Sequence, residues 1–284
     1  RALLFGGLIL AFLGLPLLWL AERPATRSEP RRDPDDQPHW SWPAYIVAGL
    51  AILALIAYLV VFVTYAIDLF RWPYDYDQGE SFELYDAVLH SRGQWPYRDS
   101  STYPFYASNY PPVFHLLNVL VFPFLGKRLV SGRVLSFIIT LLTAVIIGLT
   151  VRRRTGGIVF PLISGLAYPA SNFVYHLGPL CRQHLTMVFL ETVCVYFIAI
   201  SDDEEHGTRN TLLGLTGLLL AGYAKQLAVF TSVAVFGYLI LRDPLKGVRW
   251  LIAFGLVFGA IFLAINCATD GYWWINTIAA NVKT

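Results

Sequence analysis

RWPYDYDQGESFELYDAVLHSRGQWPYRDSSTYPFYASNYPPVFH, residues 71–115, is a polar and aromatic island in an otherwise greasy chain. It holds six acids (Asp75, Asp77, Glu80, Glu83, Asp86 and Asp99) and seven tyrosines. A plain connector between two membrane helices needs neither. Long loops at a membrane face are usually functional or disordered. The rings and paired prolines of this one argue against disorder, so the chemistry is expected here.

Around the island, 56% of the 284 residues are hydrophobic and 14% are charged, with a mean hydropathy of +0.55. That is membrane composition rather than the soluble average. A net charge of +2 gives no basis for binding nucleic acid. Cys181, Cys194 and Cys267 are far apart and form neither a metal-ligand nor a redox pattern. Apolar runs near 2–20, 44–69, 130–151, 158–175, 184–200, 211–223, 226–241 and 249–266 approach the ~20 residues that cross a bilayer as helix. The expected fold is all-α, a polytopic transmembrane bundle of about 7–9 spans. A span or anchor at 1–20 and a charged, Pro-rich cytoplasmic linker at 21–42 precede a core at 43–284. Pro111–Gly126 is too short for a span and fits a helix at the membrane surface. If it does not cross, Arg23, Arg27, Arg31 and Arg32, the triplet Arg152–Arg154, and Arg242, Lys246 and Arg249 all fall on one side. The positive-inside rule makes that side cytoplasmic. Residues 71–129, 175–183, the turn at Ala224–Gln226 and the tail 267–284 are then extracytoplasmic, with 71–129 as the catalytic loop.

Asp77-Gln78-Gly79-Glu80 has two readings. It can open a helix as a capping box, Asp77 as N-cap and Glu80 three residues on. Phe82, Tyr85 and Leu89 then share one helical face, and Ser91-Arg92-Gly93 ends the helix. Alternatively, Asp77 is a general base that takes a proton from an attacking hydroxyl, supported by Glu80 or Glu83. The neighbouring acids are also the hard oxygen ligands that a divalent cation prefers. The sequence requires no cofactor, and no metal-ligand set is assigned.

The order of motifs resembles the first extracytoplasmic loop of the GT-C glycosyltransferases. The closest group is the relatives of protein O-mannosyltransferases and of the lipid A aminoarabinose transferase (family 39-like). The resemblance rests on Asp77 with Glu80 or Glu83, Gly93 leading to Tyr97-Arg98-Asp99, Tyr110-Pro111-Pro112 before the surface helix, and Gly132-Arg133 entering the next span. It covers roughly residues 45–245. It implies a sugar donor carried on polyprenyl phosphate, Asp77 as the catalytic acid of the loop, and a site at the outer membrane face. Gln78 stands where members have Glu beside the Asp, and His184 stands in Arg182-Gln183-His184 where many have Arg-x-Asp. Members also have further spans, so the core is expected to be truncated at its C-terminus.

Lys225 interrupts an apolar stretch, either as a snorkelling turn residue or as a point charge for a donor phosphate. Arg182 is an interfacial anchor or a second phosphate ligand that stabilises the leaving group. His176 and His184 read as interfacial hydrogen-bonding residues, and Glu191 as polar glue inside the bundle. Tyr97, Tyr110 and Trp274 either line the interface or stack on a sugar. The expected activity is transfer of a sugar from a polyprenyl-phosphate donor in the bilayer to an acceptor the sequence does not specify. No nucleic acid is involved, and membrane protein partners are compatible with it. The rivals are a non-catalytic membrane scaffold and a lipid or solute transporter; the latter would call for paired broken helices in two related halves, which the sequence does not show.

Overall fold

A computed structural model describes residues 41–202 and 205–282. The expected span at 2–20 and all but the last two residues of the expected linker at 21–42 lie outside the described residues; Trp42 already opens a helix. Among the described residues the chain is all-helical. The helices are α1 (Trp42–Arg71), α2 (Glu80–His90), α3 (Val113–Leu125), α4 (Leu129–Thr155), α5 (Val159–Ala170), α6 (Asn172–Leu177), α7 (His184–Ala199), α8 (Gly207–Gly222), α9 (Val229–Arg242) and α10 (Pro244–Ala268). Short helical turns follow at Tyr272–Trp274, Ile275–Ala279 and Ala280–Val282.

Three helices, α1, α4 and α10, are long and apolar enough to cross a membrane. At 30, 27 and 25 residues they span about 45, 40 and 37 Å. Their surfaces match a hydrocarbon surrounding: α10 exposes Leu245, Leu251, Ile252, Leu256, Val257 and Leu263, and buries only Gly247. The interior, by contrast, mixes apolar clusters with many polar side chains. α4 buries Ser131, Arg133, Ser136, Thr140 and Thr143, and the Ser and Thr hydroxyls among them bond to backbone carbonyls. Polar and small residues at helix contacts with apolar residues outside are the pattern of helices packed in lipid, and the three apolar helices point to a membrane-associated protein.

α3 is 13 residues, about 20 Å, and follows the same inverted logic. It buries Phe114, His115, Asn118 and Phe122 while Leu116, Leu120 and Phe124, four residues apart, face outward. The run at 158–175 is not one continuous helix. It breaks at Ser171, whose extended backbone (ψ 138°) follows Pro169 and separates α5 from α6. Within the tail expected at 267–284, residues 272–282 are helical.

Contacts sort the helix ends into two groups. At one end, Arg153 lies over the Tyr196 ring at 5.2 Å, and Arg242 donates to Ser201 Oγ at 2.8 Å and pairs with Asp202. At the other end, the last turn of α1, the first turns of α4 and α7, the α8–α9 turn and residues 272–282 meet the segment 72–112. Val113 N–H donates to the Tyr223 carbonyl at 2.9 Å, Gln226 bonds the carbonyls of Asn109 and Thr277, and Arg98 N–H bonds Asn276.

Candidate functional site

The second end is built on one buried cation. Arg133, on the second turn of α4, has no exposed surface. A lone buried guanidinium would be prohibitive, but each of its five N–H groups has an acceptor. Nε and Nη2 grip Glu80 at 2.8 and 2.6 Å; Nη1 bonds the carbonyls of Leu69 at 2.6 Å and Trp72 at 2.5 Å; Nη2 also bonds that of Tyr74 at 2.8 Å. Glu80 in turn accepts the N–H groups of Tyr76 and Cys181, both at 2.9 Å. The end of α1, the loop after it, the start of α2, α4 and the turn before α7 are thereby joined.

This geometry corrects the capping-box expectation. α2 begins at Glu80 with Gly79 as its N-cap and no side-chain cap. Asp77 does not cap the helix, because its carboxylate is drawn to Arg182. It accepts from Arg182 Nε at 2.9 Å and also from Nη2. Gly79 is required for that approach: a Cβ there would overlap the Arg182 guanidinium. Gly132 makes similar room for the Cys181 thiol.

α2 departs from its apolar pattern: it buries Leu89 but exposes Phe82 and Tyr85, and it buries Glu80, Glu83 and Asp86. The acids turn inward because cations wait there. His115 Nε2 is 2.7 Å from Glu83 and 3.7 Å from Asp86. Asp86 accepts the Tyr106 hydroxyl at 2.7 Å, and Tyr106 stacks on Phe82 with ring centroids 5.6 Å apart. Burial pushes the Asp86 carboxyl up, against the pull of His115, Ser108 and Tyr106. His90, stacked on His115, is drawn down to about 4 by burial and by the His115 charge.

Lys225 completes the cluster from the α8–α9 turn. It is 7% exposed, contacts His184 Nε2 and stands 5.5 Å over the Tyr110 ring. Burial draws it down to about 8, with Arg182 adding to the fall and Glu83 opposing it.

Of the residues singled out in the sequence, the structure thus brings Asp77, Arg182, His184, Lys225 and Tyr110 together, with Glu80 and Glu83 beneath them. Asp77 keeps 38% of its side chain exposed, whereas Glu80 and Glu83 are at most 2% exposed. Those two are placed to position charges, not to meet a substrate. Tyr97 is buried; its hydroxyl donates to the Tyr110 carbonyl at 2.9 Å and its ring meets Trp273 at 4.8 Å. Trp274 is half-exposed and turned toward Phe262, so it is not brought to the cluster; its neighbour Trp273 is the buried ring. His176 is exposed beside Tyr175.

Asp86 and His115 were not singled out. A signal existed in the spacing of Glu80, Glu83 and Asp86, three apart on one side of a helix, and in a lone His in the first turn of apolar α3. Among the described residues, no group of three or more His, Cys, Asp or Glu is arranged to hold a metal ion. Both oxygens of Glu80 are taken by Arg133.

The chain matches no family model, no curated protein and no solved structure.

Proposed function

We propose that this chain is an integral-membrane glycosyltransferase that moves a sugar from a polyprenyl-phosphate-linked donor to an acceptor at the extracytoplasmic face. The observation that supports it is the meeting of Asp77, Arg182 and Lys225, drawn from positions 77, 182 and 225, at one end of the bundle. A half-exposed carboxylate beside two cations suits transfer away from a phosphate.

In this scheme the acceptor hydroxyl gives its proton to Asp77. Its oxygen forms a bond to the anomeric carbon as the bond from that carbon to the phosphate oxygen breaks. The electron pair leaves with polyprenyl phosphate, whose growing charge Arg182 and Lys225 stabilise. A single displacement inverts the anomeric centre, without the covalent sugar intermediate of a retaining route. Phosphate must compete with Asp77 for Arg182, so donor binding itself frees the base.

The orientation follows from charge. Arg152, Arg153, Arg154, Arg242, Lys246 and Arg249 lie at the end opposite the cluster, which the positive-inside rule makes cytoplasmic. Seven alternating crossings, α1, α4, the broken α5–α6, α7, α8, α9 and α10, fit this arrangement, with α3 at the surface.

The test compares wild type with Asp77→Asn in nanodiscs, offered a panel of polyprenyl-phosphate sugars. Transfer by wild type that is lost in an equally folded variant supports the reading; full transfer by Asp77→Asn sinks it. A non-catalytic anion-binding subunit is the second reading, favoured by the Arg182 bonds that occupy Asp77. It predicts polyprenyl-phosphate binding with no turnover on any donor.

A further inference from the structure

α2 turns Phe82 and Tyr85 outward, and the transfer scheme uses neither. They lie three residues apart, so they are neighbours on the helix surface. The other side of α2 carries Glu80, Glu83 and Asp86, which meet Arg133 of α4 and His115 of α3. The two rings therefore face away from those helices. A third ring joins them. Tyr106 stacks on Phe82 with centroids 5.6 Å and planes 9° apart, and stands edge-on to Tyr85 at 5.2 Å. Its hydroxyl is tied to buried Asp86 at 2.7 Å, so the wall of rings is held from inside. Tyr106 covers one face of Phe82, which still keeps 55% of its surface open.

Arg98 closes one edge of this wall. Its backbone N–H is fixed by Asn276 at 3.0 Å, and Tyr97 before it is buried against Trp273. Its guanidinium is not matched in the same way. Nη2 makes a long bond to the Tyr85 hydroxyl at 3.5 Å, and Nε is enclosed with no acceptor. Arg133 and Arg182 each grip a carboxylate, whereas among the described residues no carboxylate pairs with Arg98. The adjacent Asp99 instead accepts from Ser101 N–H and Oγ at 2.8 and 2.7 Å. A half-enclosed guanidinium without a counter-ion costs free energy that an anion on its open side recovers.

Aromatic faces are electron-rich and attract the polarised C–H groups that a sugar ring presents as a flat array. The guanidinium fork matches a carboxylate with two parallel bonds. Arg98 balances one negative charge, which a carboxylate brings; a phosphate monoester brings about −1.5 to −2 at pH 7. We infer that Phe82, Tyr85, Tyr106 and Arg98 form a binding subsite for an acidic sugar of a glycan, a hexuronate. Its ring lies on the open face of Phe82 and its carboxylate on Arg98. The subsite shares no residue with the Asp77–Arg182–Lys225 cluster and stands on its own geometry. Only its use, as a hold on the acceptor, rests on the function proposed above.

The experiment is calorimetric titration of the full chain in nanodiscs of zwitterionic lipid. The probes are a hexuronate tetrasaccharide and the neutral hexose tetrasaccharide of the same linkage. Wild type should bind the acidic chain about tenfold more tightly than the neutral one. Arg98→Gln should remove that preference, and Arg98→Lys, which keeps the charge without the fork, should retain part of it. Phe82→Ala should weaken both probes by up to about tenfold. Equal wild-type affinity for the two probes, or an undiminished preference in Arg98→Gln, overturns the proposal. So does a result in which phosphatidylglycerol in the nanodisc abolishes hexuronate binding and Arg98→Gln lowers retention of that lipid, since the guanidinium then serves a headgroup. Asp77→Asn should bind the hexuronate as wild type does; a loss there merges the subsite with the cluster and overturns its independence. Hexuronate binding by a wild type that transfers no sugar from any donor would uphold the subsite and remove the glycosyltransferase reading.

Discussion

Gly79→Ala separates the site from the fold. The Gly79 backbone lies in the right-handed helical region (φ −109°, ψ −3°), so alanine meets no backbone strain. What it meets is the Arg182 guanidinium, the mobile end of a long side chain, which must swing away from Asp77. The lost ion pair is partly exposed, 15% for Arg182 and 38% for Asp77, so its loss costs about 1 kcal/mol at most. Replacing glycine restrains the unfolded chain and returns about 0.4–1 kcal/mol. The two nearly cancel, and the melting temperature should move by no more than about 2 °C. Transfer should respond very differently. Losing one preorganised partner of a developing anion costs about 3 kcal/mol, roughly a hundredfold in kcat. Thermal unfolding in nanodiscs and transfer from a polyprenyl-phosphate sugar measure the two effects on one sample. Wild-type transfer with unchanged stability would refute the claim that Arg182 must lie against Gly79 to work. A loss of several kcal/mol would refute the claim that the guanidinium is free to move.

Three other outcomes are expected. Glu80→Gln leaves Arg133 buried without a counter-charge and should cost about 3–5 kcal/mol, seen as a lost monodisperse peak or a collapsed denaturation midpoint. Lys225 sits near 8, charged below that value and neutral above it; phosphate binding and transfer should therefore be level at pH 6–7 and fall about tenfold per unit above pH 8, and Lys225→Arg should carry activity to higher pH. Among the three cysteines Cys181 and Cys194 are buried and Cys267 is exposed at the site end; an impermeant maleimide applied to intact cells should label Cys267 alone, and labelling only after the cells are opened would reverse the orientation.

Most of the helix pattern was legible in the apolar runs, because a membrane helix needs an unbroken apolar length and little else. α1, α4 and α10 start and stop within a few residues of their runs, and the short helix α3 starts just after Pro112 and runs through Pro123 to Leu125. The candidate site was legible as residue types: Lys225 stands out as a charge in an apolar stretch, and Asp77 as one acid of a polar island between apolar runs. What each acid does was not legible. The inward turn of α2 depends on Arg133, 53 residues from Glu80, and on His115, 32 residues from Glu83, and local periodicity carries no information about partners at that separation. For the same reason Arg133 read as half of the Gly132-Arg133 motif, not as the centre of the assembly. Trp273 and Trp274 are adjacent and chemically alike; Trp273 goes inside, against Tyr97 and Tyr223, rings that lie 176 and 50 residues away in the chain and that no local spacing announces.

The five bonds of Arg133 also bear on how the chain comes to be assembled. As synthesis proceeds, α1 and the acidic segment are made before α4, with the carbonyls of Leu69, Trp72 and Tyr74 unmatched and Glu80 lacking its counter-ion. Their partner arrives only when α4 inserts, and the Cys181 N–H later still. A chain arrested before residue 133 thus holds an unfinished segment, open to proteases and chaperones. Insertion of α4 is the step that closes it, so the loop and the membrane helices mature as one unit, and neither can be grafted elsewhere without the other.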